Sequence, residues 1–348
     1  MKKIQNIVIV GGGSAGWLTA AIIASYHASR VKDGTLSITL CESANVPIIG
    51  VGEGTWPTMP QTLKAIGVSE SEFIKKCHAS FKQGSQFINW HSEQQPSQYY
   101  HPFEVPTNAL TGELAEYWLQ QNCASSQAPE YAQTFGVQQS LCQSQLAPKL
   151  ITTPEFQGIT SYGYHLDANA FATFLKDHCT SKLGIKHKVA DVVDISMAES
   201  GDIKGLIFKG NENLDGDLFI DCSGAKAILI EGALNVELQQ VDDVLFADSA
   251  VAMQVPFMDE NENFASCTKS TAQSAGWIWD IALPTRRGVG YAFSSKYSSV
   301  EKAEQTLQSY VSANGYDGKK LQCRHIKFTP GYRKQFWHKN CVAVGMSA

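Results

Sequence analysis

Glycines near the start of the chain form the first group of residues whose types and spacing indicate chemistry. Residues 11–16 (GGGSAG) match the GxGxxG pattern and directly follow an apolar stretch. In a dinucleotide site, the glycines of this pattern allow a tight turn, close approach of the backbone to a pyrophosphate, and close packing of a helix on a strand. These three roles fall to Gly11, Gly13 and Gly16.

The residues around this turn complete the pattern of a dinucleotide site. Ser14 and Ala15 begin a predicted helix, whose free N–H groups and positive dipole end favour phosphate groups. Glu42 ends a second predicted strand and is expected to accept hydrogen bonds from ribose hydroxyls. A glycine turn without a ligand is the alternative, and the combination of strand, turn, helix and acid disfavours it.

NAD would satisfy the same glycine turn, so the choice of FAD depends on a later segment. Residues 217–224 (DLFIDCSG) read as a strand that enters a turn of small residues. This arrangement resembles the two-domain FAD oxygenases of the hydroxybenzoate hydroxylase group. The resemblance implies that a strand at about 186–193 lies beside the adenosine half of the cofactor, with Val189 near the adenine. FAD is therefore the predicted cofactor.

The hydrophobic pattern predicts the elements that position these residues. A strand at 4–10, a helix at 14–28 and a strand at 36–41 would form a right-handed βαβ unit. Asp167 has the residue type and position of a helix N-cap. Further helices are predicted at 58–66, 69–78, 113–121, 168–180 and 301–313. Further strands are predicted at 87–90, 162–165, 186–193, 205–208, 218–221 and 341–344, with a second sheet over 246–295.

The predicted fold class is α/β, with a Rossmann-like FAD-binding domain of the hydroxybenzoate hydroxylase type and an interleaved second β-sheet subdomain. The segment 91–160 is rich in Gln, Ser and Pro, and we interpret it as an insertion over the core. We expect FAD-binding elements at about 1–90, 161–230 and 320–348. The substrate-side sheet and insertion would comprise about 91–160 and 231–319.

Composition excludes several classes of function. The formal net charge of -5 and a pI near 6.0 provide no basic field for nucleic acid. The nine cysteines include no CxxC pair, which favours reduced thiols over zinc or disulfides and predicts a cytoplasmic protein without a metal site. The apolar start is interrupted by glycines, so we do not interpret it as a signal peptide. No stretch is long and apolar enough to predict a membrane span.

Four segments together resemble the flavin-dependent tryptophan and indole halogenases. The segment 51–57 (VGEGTWP) is similar to the family's Val-Gly-Glu-Ala-Thr strap between the flavin and substrate sites. The segment 81–90, with Phe81-Lys82 and the sequence FINW, is similar to the one that holds the catalytic lysine. The segment 276–281 (GWIWDI) is similar to the Trp-x-Trp-x-Ile-Pro signature, and Trp17 extends the glycine turn as in the family.

The chain departs from the family in two places. Ala282 occupies the position of the signature's proline, which indicates a divergent branch with its own substrate. The chain also ends at Ala348, inside a segment similar to the family's Gly-x-Ser-Ala-Gly-Phe. In the family, a glutamate that works with the lysine, backbone that contacts the halide, and a helical region that holds the substrate all follow this segment. We therefore expect the chain to be a fragment that lacks the C-terminal helical part.

The resemblance implies a reaction and a role for particular residues. Reduced FAD (FADH2), O2 and chloride or bromide would generate hypohalous acid, and Lys82 would direct it onto an electron-rich aromatic such as an indole. A separate flavin reductase would supply FADH2. Trp277 and Trp279 would lie by the channel between flavin and substrate. Near the flavin, the resemblance places Val51, Glu53 and Met346.

Several of these residues have a simpler alternative interpretation. Lysines are usually exposed, and a pair of tryptophans on one face of a strand is usually part of a core. Glu53 could approach the flavin or end a turn. His78 and His165 lack metal-ligand spacing, and we interpret both as structural. The alternative functions are an FAD-dependent aromatic monooxygenase and a flavin-binding protein without catalysis.

Overall fold

The computed structural model describes residues 3–47, 50, 52–91, 97–106, 108–124, 129–259 and 262–348. Within these residues no helix is long and apolar enough to cross a membrane. The α-helices are α1 (Ser14–Tyr26), α2 (Ala28–Lys32), α3 (Thr58–Ala65), α4 (Glu70–Lys76), α5 (Glu113–Ala124), α6 (Gln138–Gln143), α7 (Ala168–Lys182) and α8 (Val300–Ala313).

The strands of the described residues are short, and many belong to sheets whose members are far apart in the chain. In chain order they are β1 (Asn6–Val10), β2 (Ser37–Glu42), β3 (Glu53–Gly54), β4 (Ser80–Lys82), β5 (Gly84–Ile88), β6 (Gln98–Pro102), β7 (Gly163–Leu166), β8 (Lys186–Val189), β9 (Val192–Met197), β10 (Ile203–Phe208), β11 (Asn213–Asp215), β12 (Leu218–Asp221), β13 (Gln239–Gln240), β14 (Ser249–Pro256), β15 (Thr268–Gln273), β16 (Gly276–Ala282), β17 (Arg286–Phe293), β18 (Arg324–Lys327), β19 (Gly331–Tyr332), β20 (Trp337–His338) and β21 (Cys341–Ala343).

Sheet A contains the predicted strands around the glycine turn. Its order is β20-β21-β12-β1-β2-β8, and all neighbours except β20 and β21 run parallel. Ile7, Val8, Ile9 and Val10 are all buried, as expected for a parallel strand that is covered on both faces. The predicted strands at the start of the chain, at 218–221 and at 341–344 are confirmed, with small differences at their ends.

Different layers cover the two faces of sheet A. On one face, Trp17 and Ala20 of α1 and Leu175 of α7 belong to one apolar cluster with the sheet. On the other face lies sheet D, an antiparallel sheet in the order β11-β10-β9, which contributes Leu206 and Phe208. The molecule here has three layers: helices, a parallel sheet and a smaller antiparallel sheet. This arrangement confirms the α/β fold class.

One strand prediction is wrong in detail. We expected a single strand at 186–193, whereas the structure has β8 in sheet A and β9 in sheet D. Ala190 and Asp191 separate the two strands, where the chain leaves the carboxyl edge of sheet A. The sequence pattern is continuous through this point, so it does not reveal the change of sheet.

Sheet B is the large second sheet, in the order β18-β14-β17-β16-β15-β5-β6. One face is covered by α8, whose Ala303, Leu307 and Val311 pack against residues such as Ile278 and Tyr291. The predicted second sheet over 246–295 and the predicted helix at 301–313 are confirmed. The opposite face carries the side chains of alternate residues of β16, including both tryptophans of the GWIWDI segment.

Two strands of sheet B come from segments that we assigned to the FAD-binding part. β5 pairs in parallel with β15, and β18 pairs with β14. The predicted strand at 87–90 also begins and ends earlier, at Gly84 and Ile88, and Asn89 after it has a positive φ of 60°. The boundaries expected near residues 90 and 320 therefore do not separate the two sheets. Pairing between distant segments decides the sheet to which each strand belongs.

A small further sheet lies between sheet B and the start of α7. Sheet C has the order β3-β7-β4 and is antiparallel. It is joined to sheet B because the Ser80 hydroxyl donates to the carbonyl of Ala282 at 2.7 Å. After β7, the Asp167 carboxylate accepts hydrogen bonds from the N–H groups of Asn169 and Ala170 at the start of α7, which confirms the predicted N-cap.

Candidate active site

The glycine turn has the close contacts that only glycine permits. Gly11 has a φ of 120°, and a Cβ at this residue would lie 2.1 Å from the carbonyl oxygen of Cys222 in the turn after β12. At Gly16, a Cβ would lie 1.9 Å from the Gly11 carbonyl oxygen. Both contacts are with backbone and cannot be relieved by rotating a side chain. They account for the turn and packing roles expected of these glycines.

Glu42 and Gly12 form the next part of the site. A Cβ at Gly12 would lie 1.5 Å from Glu42 Oε2, so the carboxylate occupies the space beside the turn. The other carboxylate oxygen, Oε1, is hydrogen-bonded to His187 Nε2 at 2.7 Å. Gly13 differs, because no heavy atom lies within 4 Å of its Cβ position. Its backbone therefore faces open space, as the pyrophosphate role requires.

That space is a cavity of about 860 Å³. It lies at the carboxyl ends of β1 and β2, where ligands of parallel α/β sheets commonly bind. The predicted site residues in its lining come from the glycine turn, the acidic strand end, the strap and the last segment of the chain. They are Gly11, Gly13, Ser14, Ala15, Glu42, Glu53 and Met346.

Two of the described cofactor residues that we predicted, Gly16 and Val189, do not line this cavity. Gly16 is used in packing, as described above. Val189 is exposed at the end of β8, while the next residues, Ala190, Asp191 and Val192, do line the cavity. The cavity begins where the strand ends, which explains the displacement from Val189. Val51 lies outside the residues that the structure describes.

A polar cluster in the cavity wall was missed by the sequence analysis. Asp191 Oδ1 accepts a hydrogen bond from the Ser43 hydroxyl at 2.5 Å, and its Oδ2 accepts one from Asn45 Nδ2 at 2.9 Å. All three residues line the cavity, as does Lys226. The available signal was the position of Ser43 directly after Glu42, but its pairing with Asp191 depends on contact between distant segments.

Lys82 is buried at the end of β4, and only 8% of it is accessible to solvent. Its Nζ lies 5.5 Å from the ring centres of both Trp56 and Phe103, and these two rings are 5.4 Å apart. Burial lowers the pKa of Lys82 below the usual value of 10.5. The interpretation of Lys82 as an ordinary surface lysine is therefore wrong. Trp56 was within the strap motif, but Phe103 was in a segment that we could not assign.

His165 is a buried neighbour of Lys82 across sheet C. Ser80 and Lys82 are paired with His165 and Gly163, so the lysine and the histidine are diagonal neighbours on one face. His165 Nε2 is hydrogen-bonded to Thr268 Oγ1 at 2.8 Å, whereas Nδ1 has no hydrogen-bond partner among the described residues. Burial and the charge of Lys82 lower the pKa of His165 to about 3. The imidazole is therefore neutral at physiological pH.

The segment Glu53–Gly54 lies between the cavity and Lys82. Glu53 and Gly54 line the cavity, while the Cβ position of Gly54 is only 3.1 Å from Lys82 Nζ. Burial raises the pKa of Glu53. The strap thus contacts the cavity with some of its atoms and Lys82 with others.

Trp277 and Trp279 lie on the face of sheet B opposite to α8. Their ring centres are 6.2 Å apart, and Trp277 is 6.4 Å from the ring of Trp90. Trp279 covers Gly290 on the adjacent strand, where a Cβ would lie 2.1 Å from the indole ring. Neither tryptophan lines the 860 Å³ cavity. Their role beside a channel stays a prediction.

Sheet A, its covering layers and the cavity at its carboxyl edge define an α/β protein with a cavity where ligands of parallel α/β sheets commonly bind. A sequence profile of the tryptophan halogenase family matches residues 6–348. The chain belongs to this family of flavin-dependent tryptophan halogenases.

Similar proteins support this assignment. The tryptophan 6-halogenase SttH of Streptomyces toxytricini is 34% identical, with 100% of this chain and 68% of that protein covered. The crystal structure of a tryptophan halogenase from Shewanella frigidimarina superimposes with a TM-score of 0.92 at 46% identity, over 100% of this chain and 66% of that one. Xcc4156, a flavin-dependent halogenase from Xanthomonas campestris, has a TM-score of 0.86 at 30% identity, over 100% and 66%. The chain thus spans about two thirds of the length of these relatives.

Proposed function

We propose that this chain binds FAD in the 860 Å³ cavity and uses Lys82 to direct hypohalous acid onto an electron-rich, indole-like aromatic ring. The observation that carries the proposal is the position of Glu53–Gly54, which contacts the cavity on one side and Lys82 on the other. A small oxidant made in the cavity would have a short route to the lysine. The function is thus a flavin-dependent halogenase that uses FADH2, O2 and halide.

The cavity residues fit FAD in a Rossmann-like site. Gly13 leaves its backbone open to a pyrophosphate, and α1 begins at the next residue with its N-terminal N–H groups. Glu42 lies beside this turn with one oxygen bound to His187, and it would hold a ribose hydroxyl with the lone pairs that remain. Asp191, with Ser43 and Asn45, offers further polar groups to the adenosine half.

When bound, the reduced flavin supplies with O2 the two-electron oxidation that converts halide into hypohalous acid. The task of Lys82 is then to hold this acid close to the substrate. No hydrogen bond or ion pair to Lys82 Nζ is present within the described residues, so its N–H donors are free to bind the acid. Because burial lowers the pKa of Lys82, a neutral amine is more accessible than on an exposed lysine, and such an amine could accept the halogen.

The rings beside Lys82 favour an aromatic substrate. Trp56 is 60% exposed, and Phe103 is partly exposed. A flat, electron-rich ring would pack against them at low cost, because aromatic pairs associate in stacked or edge-to-face arrangements. Two of the relatives described above are named as tryptophan halogenases. Tryptophan or another indole is therefore the proposed substrate class, and a separate flavin reductase the proposed source of FADH2.

The direct test supplies the purified chain with chemically reduced FAD, O2, bromide and either tryptophan or indole, and identifies products by mass spectrometry. Halogenated product supports the proposal. Hydroxylated product would instead indicate an FAD-dependent monooxygenase. Absence of any product while FAD remains bound would indicate a flavin-binding protein without catalysis.

The variant Lys82→Ala tests the role of the lysine. It should abolish halogenation while FAD binding and release of hypohalous acid, detected with a small thiol trap, continue. Lys76→Ala is the matched control, because Lys76 is an exposed lysine of α4 that pairs with Glu72 and lies 5.6 Å from the ring centre of Phe174, away from the cavity. Halogenated product from Lys82→Ala at the rate of the control would refute the role of Lys82.

A further inference from the structure

A buried glutamine, Gln83, joins the two sheets that meet at Lys82. Strand β4 of sheet C ends at Lys82 and strand β5 of sheet B begins at Gly84, so Gln83 is the single residue between them. Gln83 is fully buried. Because a buried amide is normally hydrogen-bonded, the partners of Gln83 show which parts of the molecule it holds together.

The side chain of Gln83 binds three segments that are far apart in the chain. Its Nε2 donates to the carbonyl of Leu146 at 2.8 Å and to the hydroxyl of Ser266 at 3.1 Å. Its Oε1 accepts a longer hydrogen bond from Thr160 Oγ1 at 3.4 Å. Both N–H donors of the amide and its carbonyl are therefore used. Leu146 and Thr160 belong to the segment that we interpreted as an insertion, so the side chain attaches this insertion to the segment before β15.

The backbone of Gln83 holds Phe103 beside Lys82. The carbonyl of Gln83 accepts a hydrogen bond from the N–H of Phe103 at 3.2 Å. The adjacent Gly84 permits this close approach, because a Cβ there would lie 2.5 Å from the carbonyl oxygen of His101. Gln83 is thus joined to the lysine along the chain and to the aromatic residue across the strands.

The relative position of amine and ring depends on this junction. Lys82 Nζ lies 5.5 Å from the centre of the Phe103 ring. A lysine has a long, flexible stem, and a contact between an ammonium and an aromatic ring contributes only modestly by itself. The backbone at residue 83 must therefore set the distance, and the buried amide of Gln83 fixes that backbone against three other segments.

We propose that Gln83 is a positioning residue that holds the Phe103 ring at a fixed distance from the Lys82 amine, so that hypohalous acid reacts with the aromatic substrate before it escapes. In this reaction the halogen replaces a ring hydrogen and water is released. The proposal rests on the proposed function, in which the substrate ring packs against Phe103. Gln83 is buried and acts through its two neighbours. Without its side chain, acid would still form in the cavity, but transfer to the ring would slow relative to escape.

The variant Gln83→Met tests this role, because methionine has a similar length but no amide. The assay contains reduced FAD, O2, bromide, indole and a small thiol trap. The ratio of trapped hypobromous acid to brominated product should rise about tenfold, since misplacement of reacting groups by about 1 Å can change rates by about 100-fold. A purely structural defect would lower both quantities together and leave the ratio unchanged. Gln305→Met is the matched control, because Gln305 is exposed on α8.

A second measurement does not depend on halogenation. Phe103 is replaced by para-fluorophenylalanine, and its fluorine resonance is recorded by NMR. We expect the same narrow resonance with and without Gln305→Met, and a shifted or broadened resonance with Gln83→Met, while circular dichroism stays unchanged. If the chain makes no halogenated product, the proposed function fails, and this resonance still tests the role of Gln83.

Ser266→Ala is a milder variant that removes one acceptor of the Gln83 amide and replaces Gln83→Met in both measurements if the latter does not fold. It should change the ratio and the resonance in the same direction and by less. The proposal is overturned if the folded variant keeps the fluorine resonance of the control, or if it brominates indole with the same ratio of trapped acid to product.

Discussion

At the scale of single residues, Lys82 stands out because a positive charge is buried beside aromatic rings. Its contacts with Trp56 and Phe103 stabilise the cation only partly, and its pKa is lowered by burial. Such a side chain costs stability, because an ordinary apolar residue would fill the same space without desolvating a charge. Residues of this kind are commonly retained for chemistry.

Replacement of Lys82 by methionine should therefore stabilise the protein while removing halogenation. The folded pKa lies below 10.5, so the desolvation penalty is complete below the folded pKa and disappears as the pH rises towards 10.5. We expect Lys82→Met to raise the free energy of unfolding by about 1 kcal/mol at pH 7, and by less at pH 10. Urea unfolding at the two pH values measures the difference. A lower stability of the variant at pH 7 would contradict this account.

His165 affects the stability of the protein at acidic pH, whereas Lys82 affects it at alkaline pH. Its pKa of about 3 in the folded state lies below the usual value of 6.5. Between these values the unfolded chain binds a proton that the folded chain excludes, so stability falls as the pH falls. The slope from this residue is about 1.4 kcal/mol per pH unit.

The variant His165→Gln removes this titrating group and should show a smaller loss of thermal stability between pH 7 and pH 4. His325→Gln is the control, because His325 is exposed on β18. If both variants follow the wild-type pH profile, His165 does not titrate as the structure indicates.

At the scale of elements, two glycines near the start of α1 differ in what they contact, so one is expected to matter for folding and the other for ligand binding. Gly16 is enclosed by backbone, whereas Gly13 faces the cavity. We expect Gly16→Ala to destabilise the chain by about 1–3 kcal/mol, because its methyl group meets the Gly11 carbonyl. Gly13→Ala should keep the melting temperature but weaken FAD binding about tenfold, or about 1.4 kcal/mol. Calorimetric melting and fluorescence titration with FAD measure the pair, and equal loss of stability in both variants would refute the distinction.

Elements with local signals could be predicted from the sequence. The apolar run of β1, the glycines before α1, and Asp167 before α7 each lie next to the structure that they determine. The split between β8 and β9 could not be predicted, because no local residue marks the change of sheet. Burial of Lys82 depends on Phe103, and the hydrogen bond from Ser80 to Ala282 depends on the approach of β4 to the end of β16. These are tertiary contacts between segments far apart in the chain.

At the scale of the whole molecule, sheet C connects sheet B to the cavity side. The hydroxyl of Ser80 is buried and donates to Ala282, so Ser80→Ala leaves a buried carbonyl without this partner. We expect a loss of about 1–3 kcal/mol in the free energy of unfolding. Ser312→Ala, at an exposed position of α8, is the control and should change stability by less than about 0.5 kcal/mol in urea. Equal stability of Ser80→Ala and the control would show that this bond does not hold the sheets together.

The strand Glu53–Gly54 has a further consequence, because it is only two residues long and contacts both the cavity and Lys82. A ligand that shifts this strand from one side changes the shape presented on the other side. For the ligands proposed above, FAD and an indole, the two affinities would then be linked by a single coupling free energy. By thermodynamic reciprocity, the factor by which FAD changes the dissociation constant of the indole must equal the factor by which the indole changes that of FAD.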